Sequence, residues 1–374
     1  MDIYLNRNRC TGCGACINVC PVSAISMRED EKRFLYPVVD DTKCIHCEKC
    51  RRTCPTYDKS NELEKRVVYS FTHPDKTILM NSSSGGAFSY ICEIIQKRGG
   101  YISGPIFDGI RLKHVVTNDP DLISKMKGSK YLQSDPSLVF CRIKELLENG
   151  EYVLFSGTPC QVVGLKKYLS KEYEKLLTVD NVCHSIPSPR IFQDYISMLE
   201  KKQKDRFVDI NFRDKENGWD EYGLRIRFQT SEIFSPHHGD LYMEGFLDGL
   251  YTRPSCSDCL VKRNTGYCSD ITLGDFWGIR EIDATKYDPN GVSAVIINTE
   301  KGAELIKDCE LFNEEIFDAF TQHNPAYLKC ASGSKDAEAF WDDYVKFGLK
   351  SAYKKAYKVP LTIRVKTIIK NLLK

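Results

Sequence analysis

Short apolar runs at 67–71, 152–155 and 176–182 read as buried strands, and stretches with helical apolar spacing lie at 86–98, 161–169 and 191–202. A Gly157-Thr158-Pro159 turn separates the second run from its helix, and the third enters a Pro-rich loop. Strand–helix alternation of this kind predicts an α/β core. Beyond Phe207 the rhythm changes. Segments 210–212 and 224–228 read as strands with turns between them, and 303–320 and 337–350 as the last helices. The polar, charged segment 58–65 reads as a linker, and no internal repeat appears beyond a duplicated cysteine motif near the start. The expected fold class is α+β / α/β multidomain. Its parts are a small head at 1–57, core domains at 66–150 and 151–330, and a helical, basic tail at 331–374.

Composition narrows the class. A chain of 374 residues with 42% hydrophobic and 28% charged residues is an ordinary globular one, long enough for two or three cores. A formal net charge of +2 gives no bulk field for nucleic acid, so no nucleic-acid partner is expected. No signal peptide is read at the start, and no run reaches the roughly 18 apolar residues of a spanning helix, so a cytoplasmic protein is expected. Residues 350–374 carry eight Lys or Arg and no acid. Ile363, Ile368, Ile369, Leu372 and Leu373 line one face of a possible helix there, which suggests weak membrane-surface or partner contact. A solvated tail is the plainer reading.

Seventeen cysteines change the picture most. A secreted disulfide framework needs an export signal and usually a shorter chain. In a reducing compartment, clustered cysteines more often bind metal. Cys10-x-x-Cys13-x-x-Cys16-x-x-x-Cys20-Pro21 and Cys44-x-x-Cys47-x-x-Cys50-x-x-x-Cys54-Pro55 both match the C-x2-C-x2-C-x3-C-P run of bacterial ferredoxins. Three thiolates in a tight loop cap one cubane, and the fourth cysteine reaches across to the other. Cys10, Cys13, Cys16 and Cys54 are therefore expected on one 4Fe–4S cluster, and Cys20, Cys44, Cys47 and Cys50 on a second. Gly12 and Gly14 ease backbone approach to the sulfides. Zinc is the rival, but zinc sites rarely repeat three cysteines at x2 spacing twice. His46, between the ligands, reads as spacing.

The core holds further motifs. Ser82-Ser83-Ser84-Gly85-Gly86 runs from a loop into a helix and leaves N–H groups for an anion, although such runs are often plain loops. Gly157-Thr158-Pro159-Cys160-Gln161 and Val182-Cys183-His184 each follow a strand, where α/β sheets bind ligands. Arg253-Pro254-Ser255-Cys256-x-x-Cys259 and Gly274-Asp275-Phe276-Trp277-Gly278 come later. Together with Lys127-Gly128-Ser129-Lys130-Tyr131, these motifs resemble the family of coenzyme F420 hydrogenase/dehydrogenase beta subunits, fused behind a two-cluster ferredoxin domain. The resemblance runs from Cys10 to about Gly278.

Such a resemblance implies a ferredoxin-like head followed by an α/β flavin-binding core, with FAD beside a third 4Fe–4S cluster. The implied FAD contacts are Ser83, Ser84, Gly85, Gly86, Lys130, Tyr131, Gln133, Ser134 and Thr158. The implied ligands of the third cluster are Cys160, Cys183, Cys256 and Cys259. Cys268 is then a free thiol or a stand-in ligand, while Cys92, Cys141, Cys309 and Cys330 read as packing residues. Thr158 and His184 are the candidate catalytic groups, His184 as cluster neighbour or proton donor. His237 and His238 are candidates for substrate specificity, and Asp275 and Trp277 for positioning flavin or cluster. The expected function is a ferredoxin-linked, FAD-dependent iron–sulfur oxidoreductase. Reduced ferredoxin or a donor subunit supplies electrons, and an organic or sugar-linked small molecule receives a hydride. By analogy the substrate belongs to bacterial polysaccharide synthesis. The alternatives are an F420-oxidising subunit and a non-catalytic electron relay.

Overall fold

The computed structural model describes residues 3, 6–57 and 66–357. The linker expected at 58–65 and the tail face at Ile363, Ile368, Ile369, Leu372 and Leu373 lie outside the described residues.

The strands, in chain order, are β1 (Ile25–Glu29), β2 (Leu35–Val39), β3 (Val67–Phe71), β4 (Tyr101–Asp108), β5 (Arg111–Thr117), β6 (Ser134–Asp135), β7 (Val153–Ser156), β8 (Leu176–Asn181), β9 (Phe207–Asp214), β10 (Gly223–Phe228), β11 (Glu232–Pro236), β12 (Ile271–Asp275), β13 (Ser293–Ile297) and β14 (Phe312–Glu315). In the head, β1 and β2 form a hairpin flanked by two short helices, α1 (Ala15–Val19) and α2 (Lys49–Thr53). Nine strands form the main sheet, in the order β14-β3-β13-β12-β8-β7-β4-β5-β6. Both halves of the expected core share it, since β7 pairs in parallel with β4 across residue 150.

Strand direction decides where ligands can sit. β12, β8, β7 and β4 run parallel, and β13 is antiparallel to both β12 and β3. The carboxyl ends of β3, β12, β8, β7 and β4 therefore emerge on one edge. That edge carries the loops of 72–86, 157–160, 182–188 and 276–278.

Helices α3 (Lys76–Met80), α4 (Ala87–Lys97), α5 (Pro120–Met126), α6 (Val139–Glu148), α7 (Pro159–Leu169) and α8 (Pro189–Gln203) follow the earlier strands. Helix α4 buries Ile91, Cys92 and Ile95 against Ile102, Leu154 and Leu177 of the sheet. Each such side chain stabilises the fold by roughly 1.5–3 kcal/mol. A second core lies between the three-stranded sheet β11-β10-β9 and the helices α8, α9 (Leu241–Leu247), α13 (Ala337–Phe347) and α14 (Leu349–Ala356), with Phe192, Phe212, Tyr242, Tyr251, Phe340 and Tyr353 buried. The first residues of the expected tail thus belong to a core. Gly348, at φ +79°, splits the helix expected at 337–350 into α13 and α14.

A short α10 (Ile279–Ile282) precedes β13. The helix expected over 303–320 is instead three elements: α11 (Glu300–Ile306), β14 and α12 (Phe317–His323). Phe312 explains the strand: its ring stacks on Phe71 of β3 at 4.6 Å, and β14 completes the sheet edge by pairing with β3. Among the described residues no helix is long and apolar enough to cross a membrane.

Candidate redox site along the head–core junction

The two cysteine loops of the head share one backbone path. Gly12 and Gly14 have φ of +71° and +82°, and His46 and Glu48, at the matching positions, have +52° and +56°. α1 and α2 each begin at such a left-handed residue, and no side chain caps their first N–H groups. Cys10, Cys13, Cys16 and Cys54 line one cavity together with Gly12, Gly14 and Pro55. Cys20, Cys44, Cys47 and Cys50 line the other with Val22, Ile25 and Ile45. Each cavity takes three cysteines from one repeat and one from the other. They enclose about 360 and 370 Å³, open mouths included. Among the described residues no three His, Cys, Asp or Glu side chains converge on a single-ion site. A cubane spreads its four thiolates around a larger body, so these donor sets fit it.

The two cavities differ in surroundings. Cys10, Cys13 and Cys16 are buried, and their loop faces the core; the loop at 45–49 is largely exposed, with Ile45 at 60%. Burial pushes the Cys13 thiol up to about 12. The Ala15 N–H opposes this, and Cys54, Cys10 and Cys160 add to it. The last of these names belongs to the core.

Helix α7 makes the junction. A Cβ on Gly164 would stand 2.9 Å from both Cβ and Sγ of Cys13, so only glycine lets α7 come this near. One turn earlier on α7 lies Cys160, whose Sγ is 3.2 Å from Thr158 Oγ1 and which also hydrogen-bonds the Thr11 side chain of the head. Cys183, Cys256 and Cys259 lie near enough for their charges to act on it and on one another. Burial, then Cys256 and Cys160, drives the Cys183 thiol well up. Burial pushes Cys256 up to about 12, with Cys160 and Cys259 adding to the rise. Thr158 closes a capping box with Gln161, whose Nε2 donates to Ser134 Oγ at 3.0 Å.

The expected flavin contacts separate into two groups. Gln133 Oε1 accepts from Leu35 N–H of the head at 3.1 Å and from Arg253 at 3.2 Å, which commits it to the junction with Ser134 and Thr158. The other group gathers around β9. Ser129 N–H donates to Ser83 Oγ at 2.6 Å, and Lys215 Nζ donates to the carbonyls of Leu79, at 2.9 Å, and Ser84, at 2.6 Å, and also to that of Asn290. Gly85 packs against Phe71 O and Ser293, where a Cβ would stand 2.1 and 2.4 Å away, and Gly86 begins α4 at φ +88°. Lys130 Nζ donates to the carbonyls of Met126, Lys127 and Gly128, closing its own loop.

Arg213 holds this second group. It pairs in a fork with Asp275 at 2.8 and 2.9 Å and donates to Tyr131 OH at 3.3 Å. Its guanidinium lies 3.9 Å from the Tyr222 ring and 5.3 Å from Trp277. Trp219 donates to Asp275 at 2.7 Å and stacks on Trp277 at 4.7 Å. Asp275 and Trp277 were visible in the motif. Arg213 and Lys215 were not, because neither lies in a recognisable spacing.

His184 rests beside Phe246 and pairs its Nε2 with Leu247 O at 3.2 Å; burial, then Lys262, lowers its pKa. His237 is buried against Tyr222, with its Nδ1 on Tyr222 O at 2.7 Å, and its ring lies 3.8 Å from His238. Cys268 packs between two core clusters, and burial pushes it up to about 12, with Lys166 opposing. Cys92 is buried in the sheet core, Cys141 contacts Asn18 and Tyr168, Cys309 bonds Tyr90, and Cys330 bonds Arg263.

A duplicated cysteine head locked onto an α/β core defines an iron–sulfur redox protein of the oxidoreductase class. The signature of a 4Fe–4S dicluster domain matches residues 9–57, so the head binds 4Fe–4S clusters. The signature of the carboxyl-terminal part of coenzyme F420 hydrogenase/dehydrogenase beta subunits matches residues 150–315, and that part of the chain belongs to this family. It is similar to the F subunit of F420H2 dehydrogenase from Methanosarcina mazei, 24% identical over 328 residues that cover 81% of this chain and 84% of that one. It is also similar to coenzyme F420-dependent sulfite reductase of Methanocaldococcus jannaschii, 35% identical over 318 residues. There the match covers 81% of this chain but only 46% of the longer relative. A chain of the F420-reducing [NiFe] hydrogenase complex from Methanosarcina barkeri is 17% identical, with a TM-score of 0.49 over 78% of this chain and 97% of that one.

Proposed function

We propose that this chain is an iron–sulfur flavoprotein that admits single electrons at its head and delivers them in pairs to an organic substrate. Bound clusters supply one-electron transfer, and a flavin supplies the exchange between one- and two-electron chemistry. The observation that carries the reading is the approach of α7 to Cys13 at Gly164. It brings Cys160, with Cys183, Cys256 and Cys259, against the head, so that three four-cysteine sets lie in series. Cys20, Cys44, Cys47 and Cys50 hold the outer cluster where a donor protein has access. Cys10, Cys13, Cys16 and Cys54 hold the inner one, and the core set holds the third.

The chain's own residues suit a flavin at β9. Arg213 Nε is a buried donor that has no partner among the described residues, beside the Tyr222 and Trp277 rings. A ring with an acceptor edge would meet both. Lys215, Ser83 and Ser129 fix the neighbouring loop, and burial lowers the Lys215 amine to about 8 while Asp275 opposes the change.

Anaerobic purification tests the reading. It requires bound FAD and about twelve irons per chain, and a count near eight removes the third cluster. Cys256→Ser is expected to abolish one cluster signal and slow flavin reduction while sparing those of the head. Absence of flavin overturns the flavoprotein reading.

A second reading, favoured by the names of the relatives, is that the organic partner is coenzyme F420 and that the chain serves as an electron-transfer subunit of a larger complex. A flavin that bleaches with dithionite and stays oxidised with reduced F420 excludes it. Turnover of a sugar nucleotide or a lipid-linked sugar supports the sugar-linked substrate instead and excludes a pure relay.

A further inference from the structure

Arg253 is 1% exposed and lies between the head and the core cysteines. Its guanidinium makes three hydrogen bonds, all to neutral oxygens. Nε donates to Cys10 O at 2.8 Å, Nη1 to Gln133 Oε1 at 3.2 Å and Nη2 to Leu35 O at 2.9 Å. Its flat faces are covered by Tyr36 at 4.3 Å and Phe34 at 5.4 Å. No carboxylate among the described residues pairs with it. An arginine cannot shed its proton, and a buried charge without an opposite charge is strongly disfavoured. Arg213, the other deeply buried arginine of the site, has Asp275 for this purpose.

The two neighbouring cysteine sets supply an opposite charge once they hold clusters. Cys10, whose carbonyl Arg253 holds, belongs to the inner set, and Arg253 precedes Cys256 of the third set by one short turn. Cys256 N–H donates to Arg253 O at 2.9 Å, and a Cβ on Gly12 of the inner loop would stand 3.4 Å from the Arg253 Cζ. A four-thiolate cubane is a net anion in either redox state and gains one more negative charge on reduction.

We propose that Arg253 is the shared counter-cation of the inner and third clusters: it fastens the head to the core and stabilises the reduced state of both, while the outer cluster lies beyond its reach. The proposal rests on the three-cluster reading for the third set only. Its claim on the inner cluster stands on the 4Fe–4S head alone. Arg253 is thus a positioning residue that also sets the order of the potentials. It makes reduction easier at the junction than at the solvent-exposed inlet, which favours flow inward.

The test uses the full-length, iron-loaded protein, purified anaerobically as wild type, Arg253→Lys and Arg253→Met. Iron content is measured first, and each cluster's potential is then read by EPR-monitored redox titration. The outer signal is identified as the one whose relaxation responds to an added aqueous paramagnetic chelate. Arg253→Met is expected to lower the inner potential by about tenfold in the redox equilibrium, ~59 mV for a one-electron couple. The outer potential should stay within twofold. Arg253→Lys keeps the charge and should leave the inner potential within about threefold, although the lost fork loosens the head. Equal shifts at inner and outer clusters, or none in Arg253→Met, overturn the proposal. Where Arg253→Met does not accumulate, a tenfold fall in Arg253→Lys overturns the charge assignment, and an unchanged inner potential upholds it. A wild-type iron count near eight instead of twelve removes the third cluster and leaves the inner-cluster result to decide the role of Arg253.

Discussion

Replacing Asp275 by Asn strips the charge from a carboxylate that accepts three hydrogen bonds at 2.7 to 2.9 Å, two from Arg213 and one from Trp219 Nε1. Arg213 is 3% exposed and keeps its charge, so it is left without an anionic partner in a dry site. Removing one partner of a buried pair costs roughly 3–5 kcal/mol. Asp275 is 16% exposed, and asparagine retains one acceptor, which places the expected loss near ~3 kcal/mol. Unfolding of a multidomain protein with clusters is not two-state, so the shift is read as a denaturant midpoint under anaerobic conditions, by intrinsic tryptophan fluorescence. Trp219 and Trp277 stack on each other beside the lesion and should report it. The double variant Asp275→Asn with Arg213→Met removes the stranded charge and should recover more than half of the loss. A single variant that costs less than ~1 kcal/mol, or a double variant no more stable than the single, refutes the claim that Asp275 exists to neutralise Arg213.

Three further outcomes follow from particular contacts. Gly164→Ala gains roughly 0.5–1 kcal/mol of helix propensity but places a Cβ 2.9 Å from Cys13, and overpacking of that kind costs roughly 1–3 kcal/mol. The variant should be net destabilised and should show altered inner-cluster EPR with a normal outer signal. Glu48→Gly relieves a left-handed residue at φ +56° on an exposed loop, and differential scanning should find it as stable as wild type or more so. Asp180 has Oδ1 bonded to Thr272 at 2.6 Å and Oδ2 buried without a partner, and burial pushes its carboxyl up from 3.8 to about 7. Between those values the unfolded chain has released this proton and the native chain has not, so stability falls as pH rises and the penalty is complete above 7. Asp180→Asn should flatten the fall in denaturant midpoint between pH 5 and pH 8, by roughly 3 kcal/mol at most, since only about two pH units of that window lie below the raised value near 7; an unchanged pH profile refutes the assignment.

The head was legible in the sequence because its chemistry dictates spacing: thiolates that cap one cubane must recur every third residue. Loops after strands were legible too, since Cys160 and Cys183 follow apolar runs that became β7 and β8. What escaped were residues whose role depends on long-range neighbours. Arg253 stood in the motif as the residue before a proline, and nothing local tells that its fork reaches Cys10 O, 243 residues away. Gln133 looked like part of a flavin loop, yet its partners are a head strand and Arg253. β14 was hidden because Phe312 and Glu315 also fit a helical rhythm, and only the Phe71 ring it covers selects the strand.

The duplicated cysteine motif is symmetric in its ligands and asymmetric in the residues between them, and that asymmetry encodes the orientation of the head. Both loops require left-handed backbone at the second and fourth positions after their first cysteine. The second loop meets the requirement with His46 and Glu48, so a cluster loop of this shape does not itself demand glycine. Glycine is demanded in the first loop by what faces it: a Cβ at position 12 would stand 2.6 Å from Gln133 Nε2, and one at position 14 would stand 2.5 Å from Pro136 Cγ. Pro136 and Gln133 belong to the core. The glycines therefore mark the repeat that docks, and the histidine and glutamate mark the one left to solvent. The inner loop is fixed by the fold, and under the proposed function the exposed outer loop is the face that a donor meets.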